Sequence, residues 1–259
     1  MLASLVDTML DISSSALNLV AIHFALKPPD DDHRFGHEKI QDLAIFSQSI
    51  FFFISGTYSL IISTYSLLKK ELMEHNNDGY IIMSICIISL LILLLYQTYV
   101  IKKTNSEIIK LDKMHYSVDL MTNCAVILSI FLNDIFWFAD AAFGILISLY
   151  IIKTSFSFFK TAIKNLIDQE FDNNKREEII SIVIKNPHVK GVHDMKTRYA
   201  AHKSFIQCHI EIDGNMSLHE AHDITEKIHC EILNKFPDSE IIIHQDPHEI
   251  YEKVEIREI

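Results

Sequence analysis

Two runs in this chain, "IFFFISGTYSLIIS" from Ile50 and "IIMSICIISLLILLLY" from Ile81, are too long and too apolar for the surface of a water-soluble fold. A helix crosses the hydrocarbon core of a bilayer with about 20 predominantly apolar residues. Five segments reach that length: 2–26, 40–68, 80–101, 114–132 and 136–159. A membrane helical bundle over residues 1–165 follows as the expected first domain. Beyond Asn165 the text turns polar. Residues 166–250 read as a soluble domain and 251–259 as a tail. Most of the net charge of −11 falls in this last third.

Orientation follows from lysine and arginine in the short loops. The first loop carries Lys27, Arg34 and Lys39; the third is flanked by Lys102, Lys103, Lys110 and Lys113. Lys160 and Lys164 close the last span, whereas the fourth loop, around "NDIF", has no cation. The first and third loops and the carboxyl-terminal domain are therefore expected in the cytoplasm, and the amino terminus outside. An acidic soluble domain argues against nucleic acid as a partner and suits cations. The four cysteines are isolated, with no CxxC pair, and indicate neither a disulfide framework nor a thiolate zinc site. No basic leader with a small-residue cleavage site opens the chain.

The impurities in the apolar segments carry the chemistry. Asp7 and Asp11 are four residues apart on the first span, and His115 and Asp119 repeat that spacing on the fourth, so each pair shares a helix face. A charge at the centre of a membrane helix costs at least ~2.5 kcal/mol and marks a bundle interior or an ion path. No lysine or arginine lies within either span to neutralise these acids. Three carboxylates and an imidazole suit a divalent ion such as Zn2+, with Fe2+, Mn2+ and Cd2+ also compatible. The competing reading is that the acids cap polar kinks. The first loop, "KPPDDDHRFGHEK", offers Asp30, His33 and His37 around Gly36, but hydrophilic loops with two histidines are common, and by itself the pattern reads first as a solvated loop.

The soluble domain reads as αββαβ, with helices on one face of a three-stranded sheet. "NNKREEIISIVIKN" is a helix with Asn174 as its N-cap. "VHDMKTRY" and "SFIQCHIEI" are strands, and in the second Ile206, Cys208, Ile210 and Ile212 alternate with Gln207, His209 and Glu211. Ser217 and Glu220 form a capping box for the next helix, and "EIIIHQD" is the last strand. His193, His209, His222, His244 and Asp246 stand on or beside these elements. Alternation places His244 and Asp246 on one side of their strand.

The ordered set "DTMLD", "PDDDHRFGHEKIQDLA", "HYSVD", "VHDMKTR" and "IIIHQDP" resembles the cation diffusion facilitator family, and within it the bacterial ferrous-iron and zinc efflux pumps. The resemblance covers nearly the whole chain. It implies a homodimeric, proton-coupled antiporter of the inner cell membrane that exports divalent metal, with a metallochaperone-like cytoplasmic αββαβ domain. It implies Asp7, Asp11, His115 and Asp119 as the transport site, and Asp30, His33 and His37 as a loop site. His193, His209, His222, His244 and Asp246 would form a binuclear site that stabilises the dimer, and Lys39 with Asp168 an interlocking charge pair between the domains. Family members have six membrane helices. This chain opens within what corresponds to the second, so five spans are expected, and a relative that binds metal and dimerises without transporting is the alternative. His248, after "QDP", is a departure that could add a ligand. An intramembrane metalloenzyme is disfavoured: there is no HExxH, and four protein ligands leave no position for a catalytic water.

Overall fold

The computed structural model describes residues 15–69, 80–132, 136 and 138–248. The chain divides into two units, Met1–Leu166 and Ile167–Ile259, each with its own core.

In the first unit, α1 (Ser15–Ala25), α2 (Lys39–Lys69), α3 (Tyr80–Thr104), α4 (Glu107–Leu132) and α5 (Ala139–Leu166) follow in order. Among the described residues three helices are long and apolar enough to cross a bilayer: α2, the Ser84–Thr104 part of α3, and α5. The described part of α1 is shorter. At 26 residues α4 has the length, but its first two turns are charged. It begins at Glu107, seven residues before the start expected from hydropathy. The polar lead hides an inward stripe in which Ile108 and Leu111 are fully buried and Met114 is 5% exposed, and Lys110 pairs with Glu107 at 2.6 Å.

Helices α2 and α5 pack through small residues, the device that lets membrane helices approach closely. A Cβ on Gly56 would come within 2.9 Å of Ile151 Cγ2. Ser148 Oγ donates to Ser59 Oγ at 2.9 Å. Near the opposite end, Asn165 Nδ2 donates to the fully buried Asp42 at 2.8 Å.

In the second unit the order is α6 (Asn173–Ile184), β1 (Gly191–Ala200), β2 (Lys203–Asp213), α7 (Leu218–Lys235) and β3 (Ser239–His248). This is the αββαβ order read from the sequence. The N-cap of α6 is Asp172, not Asn174: its extended backbone ends the preceding segment, and the helix already includes both asparagines. The capping box of α7 forms as expected, Ser217 Oγ accepting from Glu220 N and Ser217 N donating to Glu220 Oε2 at 2.9 Å.

The sheet runs β1-β2-β3, antiparallel between β1 and β2 and parallel between β2 and β3. Ile206, Cys208, Ile210 and Ile212 of β2 turn inward onto Ile224, Ile228 and Ile232 of α7 and Ile179 and Val183 of α6. The helices thus cover one face, and His209 of the central strand is left on the other.

Candidate metal centres

Strand register builds the centre in the carboxyl-terminal unit. His193 of β1 pairs with His209 of β2, and His209 with His244 of β3. Three imidazoles therefore cross the sheet in one row, with ring centroids 5.3 Å and 4.6 Å apart. Asp246, two residues beyond His244, is the common acceptor. Its Oδ2 lies 2.9 Å from His209 Nδ1 and 3.2 Å from His193 Nε2, and its Oδ1 lies 3.2 Å from His244 Nε2. Ligand atoms of His193, His209 and Asp246 lie within 4.8 Å of one another. His222 stands on the exposed face of α7 and is not part of this cluster.

Two acids not singled out by the sequence patterns join the rim. Glu211 meets His193 at 3.4 Å and His248 at 2.8 Å. Asp194 reaches His209 Nε2 at 3.7 Å from a backbone with φ +47°, at a bulge where the β1–β2 register shifts. Such left-handed geometry is tolerated best by Gly, Asn and Asp, and bulges re-aim side chains. Burial works to raise the Asp246 carboxyl, but the His209 hydrogen bond and the charges of His209, His244 and His193 outweigh it and hold the group below the usual carboxylate range. Asp194 is also held low, chiefly by its hydrogen bond to Lys196. Cys208 lines the adjacent cavity. Burial pushes its thiol up to about 11, so it stays protonated and is a poor ligand.

The loop centre is a compact turn. Asp30 Oδ1 accepts from the backbone N–H groups of His33 at 2.7 Å and Asp32 at 3.1 Å. His33 Nδ1 is 3.1 Å from the same oxygen, and His37 Nε2 is 3.4 Å from Oδ2. Gly36, at φ +88°, turns the chain so that both imidazoles face Asp30. The backbone donation from His33 is the main reason that the Asp30 carboxyl is held low. One carboxylate and two imidazoles are a donor set that fits a divalent ion.

Of the membrane set, His115 Nε2 and Asp119 Oδ2 lie 3.7 Å apart on α4. The His115 ring stacks on Phe52 of α2, centroids 5.1 Å apart, which fixes its plane. Asp7 and Asp11 lie outside the described residues. What is described of α1 is bonded to α4: Ser15 Oγ is 3.1 Å from Tyr116 Oη, and Asn18 Nδ2 donates to Asp112 Oδ1 at 3.0 Å. Asp168 forms an ion pair with Arg198 at 3.3 Å within the carboxyl-terminal unit, while Lys39 opens α2 in the other unit.

Comparison with known proteins matches both units in order. Residues 1–167 match the cation efflux transmembrane domain, and residues 171–248 the cation efflux protein cytoplasmic domain. Protein p34 of Rickettsia prowazekii is 60% identical over 99% of this chain and 86% of its own length. The cation-efflux pump FieF of Shewanella oneidensis is 39% identical over 96% of this chain and 85% of its own. The metal-bound carboxyl-terminal domain of the CzcD transporter from Thermotoga maritima, 30% identical, covers 31% of this chain and 100% of that one with a TM-score of 0.28, too low to add to the fold. The chain belongs to the cation efflux, or cation diffusion facilitator, family of transporters, as a multi-pass membrane protein whose carboxyl-terminal domain is cytoplasmic.

Proposed function

We propose that this transporter exports divalent cations of the Zn2+, Fe2+ and Cd2+ class in exchange for protons. The cation would be held by Asp7 and Asp11 with His115 and Asp119. The observation that carries this reading is the pairing of α1 with α4. Ser15 bonds to Tyr116 and Asn18 to Asp112, so residue numbers fall along α4 as they rise along α1. The first described residue of α1, Ser15, thus meets α4 at Tyr116, beside His115 and one turn from Asp119. Asp7 with Asp11 and His115 with Asp119 would each supply half of one tetrahedral site.

Proton coupling follows from the donors. Only deprotonated carboxylate and neutral imidazole bind metal, so binding expels protons and protonation expels metal. A site exposed alternately to the two sides then moves cation one way and protons the other. Asp30, His33 and His37 would bind a cation at the cytoplasmic loop. His193, His209, His244 and Asp246, with His222 of α7, would bind structural cations that tighten a homodimer. Lys39 and Asp168 would link the membrane helices to the cytoplasmic domain.

The test is cation uptake into vesicles containing the purified protein. An acidic lumen should drive Zn2+ uptake, and a protonophore should abolish it. Uptake indifferent to the gradient would leave export without proton exchange.

A further inference from the structure

Four helices of the membrane unit each give one polar side chain to a single hydrogen-bonded chain. Gln48 Nε2 of α2 donates to Asn18 Oδ1 of α1. Asn18 Nδ2 donates to Asp112 Oδ1 of α4 at 3.0 Å, and Gln97 Nε2 of α3 donates to Asp112 Oδ2 at 2.7 Å. Asn18 and Gln97 are 6% exposed and Gln48 is 3% exposed. A carboxylate is expensive within a membrane domain unless the bundle supplies partners. Here each oxygen has an amide donor from a different helix. The sense of every bond is set by chemistry, because an ionised carboxylate only accepts.

The chain's location gives it a function. On α4, Asp112 precedes His115 by three residues and Asp119 by seven, so all three share a face. In the sequence, Asn18 follows Asp11 by seven residues, the spacing that separates Asp112 from Asp119. The Asn18–Asp112 bond therefore ties α1, the helix that follows Asp7 and Asp11 in the sequence, to the helix that carries His115 and Asp119. It lies on the side of His115 nearer the lysine-flanked turn between α3 and α4, which the distribution of basic residues assigns to the cytoplasm.

We infer that Asp112 is a positioning residue for transport: through Asn18 it sets the spacing of the two ligand pairs, while Gln48 and Gln97 hold the bond in register. This rests on the transport-site reading above. Neither Asp112 nor the amides need touch the cation. Their bonds close the α1–α4 seam on its cytoplasmic side and determine how well four ligands converge on an incoming ion. Loss of a supporting contact loosens such a site. The loss should appear in apparent affinity more than in maximal rate.

The donor–acceptor sense permits a decisive exchange. With Asn18→Asp and Asp112→Asn together, the amide at 112 donates to the carboxylate at 18. The second oxygen at 18 still accepts from Gln48, and the amide oxygen at 112 still accepts from Gln97. Each single change breaks the chain. Asp112→Asn adds an N–H donor where donors already converge, and Asn18→Asp sets two carboxylates against each other. In vesicles, each single variant should raise the KM for Zn2+ about tenfold with kcat little changed, as expected for one lost charge-assisted hydrogen bond. The double variant should return to within about twofold of the parent. Should a single variant fail to insert, Asn18→Ala removes the donor without adding charge and should raise KM likewise. Parental KM in the single variants, or a double variant no better than either, overturns the inference. A parent protein with no flux overturns the transport reading instead. The same exchange is then read on Zn2+ affinity by chelator competition, with the same loss and recovery expected.

Discussion

Asp246 Oδ2 is shared between His209 of β2, at 2.9 Å, and His193 of β1, at 3.2 Å. One carboxylate oxygen from the last strand thus gathers imidazoles from the other two. Without a cation, that oxygen accepts from protonated ring nitrogens. With one, the same three side chains can turn their lone pairs on the ion. The hydrogen-bonded cluster already pins β3 to β2 and β1, and a metal-bound form would keep that link.

The carboxyl-terminal unit should accordingly gain stability and self-association from Zn2+. A ligand at a hundred times its dissociation constant stabilises the state that binds it by about 2.7 kcal/mol. Thermal unfolding and sedimentation of the unit 167–259 should both show the gain. A His244→Ala, Asp246→Ala double variant should lose it. Equal association with and without Zn2+ would remove the cluster from dimer assembly.

Acid should dismantle the cluster in two separable steps. Metal should leave first, because protons compete with it for its ligands. The metal-free domain keeps the carboxylate pairs longer. Asp246 and Asp194 have folded values below the ordinary one, so the stability they contribute is fully present above the unfolded carboxylate value of about 3.9 and is lost as pH falls through their lowered folded values. Zn2+ release followed with a chelating dye should therefore precede loss of the circular-dichroism signal. Coincidence of the two would show that the apo domain does not outlast its metal.

What could be read from the sequence divides along physical lines. The apolar segments behind α2, α3 and α5 were legible because a span is a composition signal that needs no partner. The central strand was legible because one buried face forces alternation, and Ile206, Cys208, Ile210 and Ile212 are the residues that turn inward. The start of α4 was obscured because Glu107 to Lys113 is polar while Ile108 and Leu111 still bury. The α6 cap was misplaced because Asp172, Asn173 and Asn174 are all good cap formers and only the backbone distinguishes them. Glu211 and Asp194 depend on cross-strand register and a bulge, neither of which a linear pattern records. Asn18, Gln48 and Gln97 sit in apolar helices where isolated amides are common, and only the packing of four helices brings them to Asp112.

In the proposed transport site, His115 and Asp119 on α4 share one transported ion with Asp7 and Asp11. The most direct test of that sharing is Zn2+ flux in vesicles for Asp11→Ala and Asp119→Ala against the parent chain, with insertion and the circular-dichroism spectrum measured on each preparation. Losing one of four ligands should cut flux by at least about 100-fold, the upper end of what even supporting residues cost a metal site. The carboxyl-terminal unit should remain folded and keep its Zn2+-dependent association. Flux undiminished in either variant would contradict the shared site.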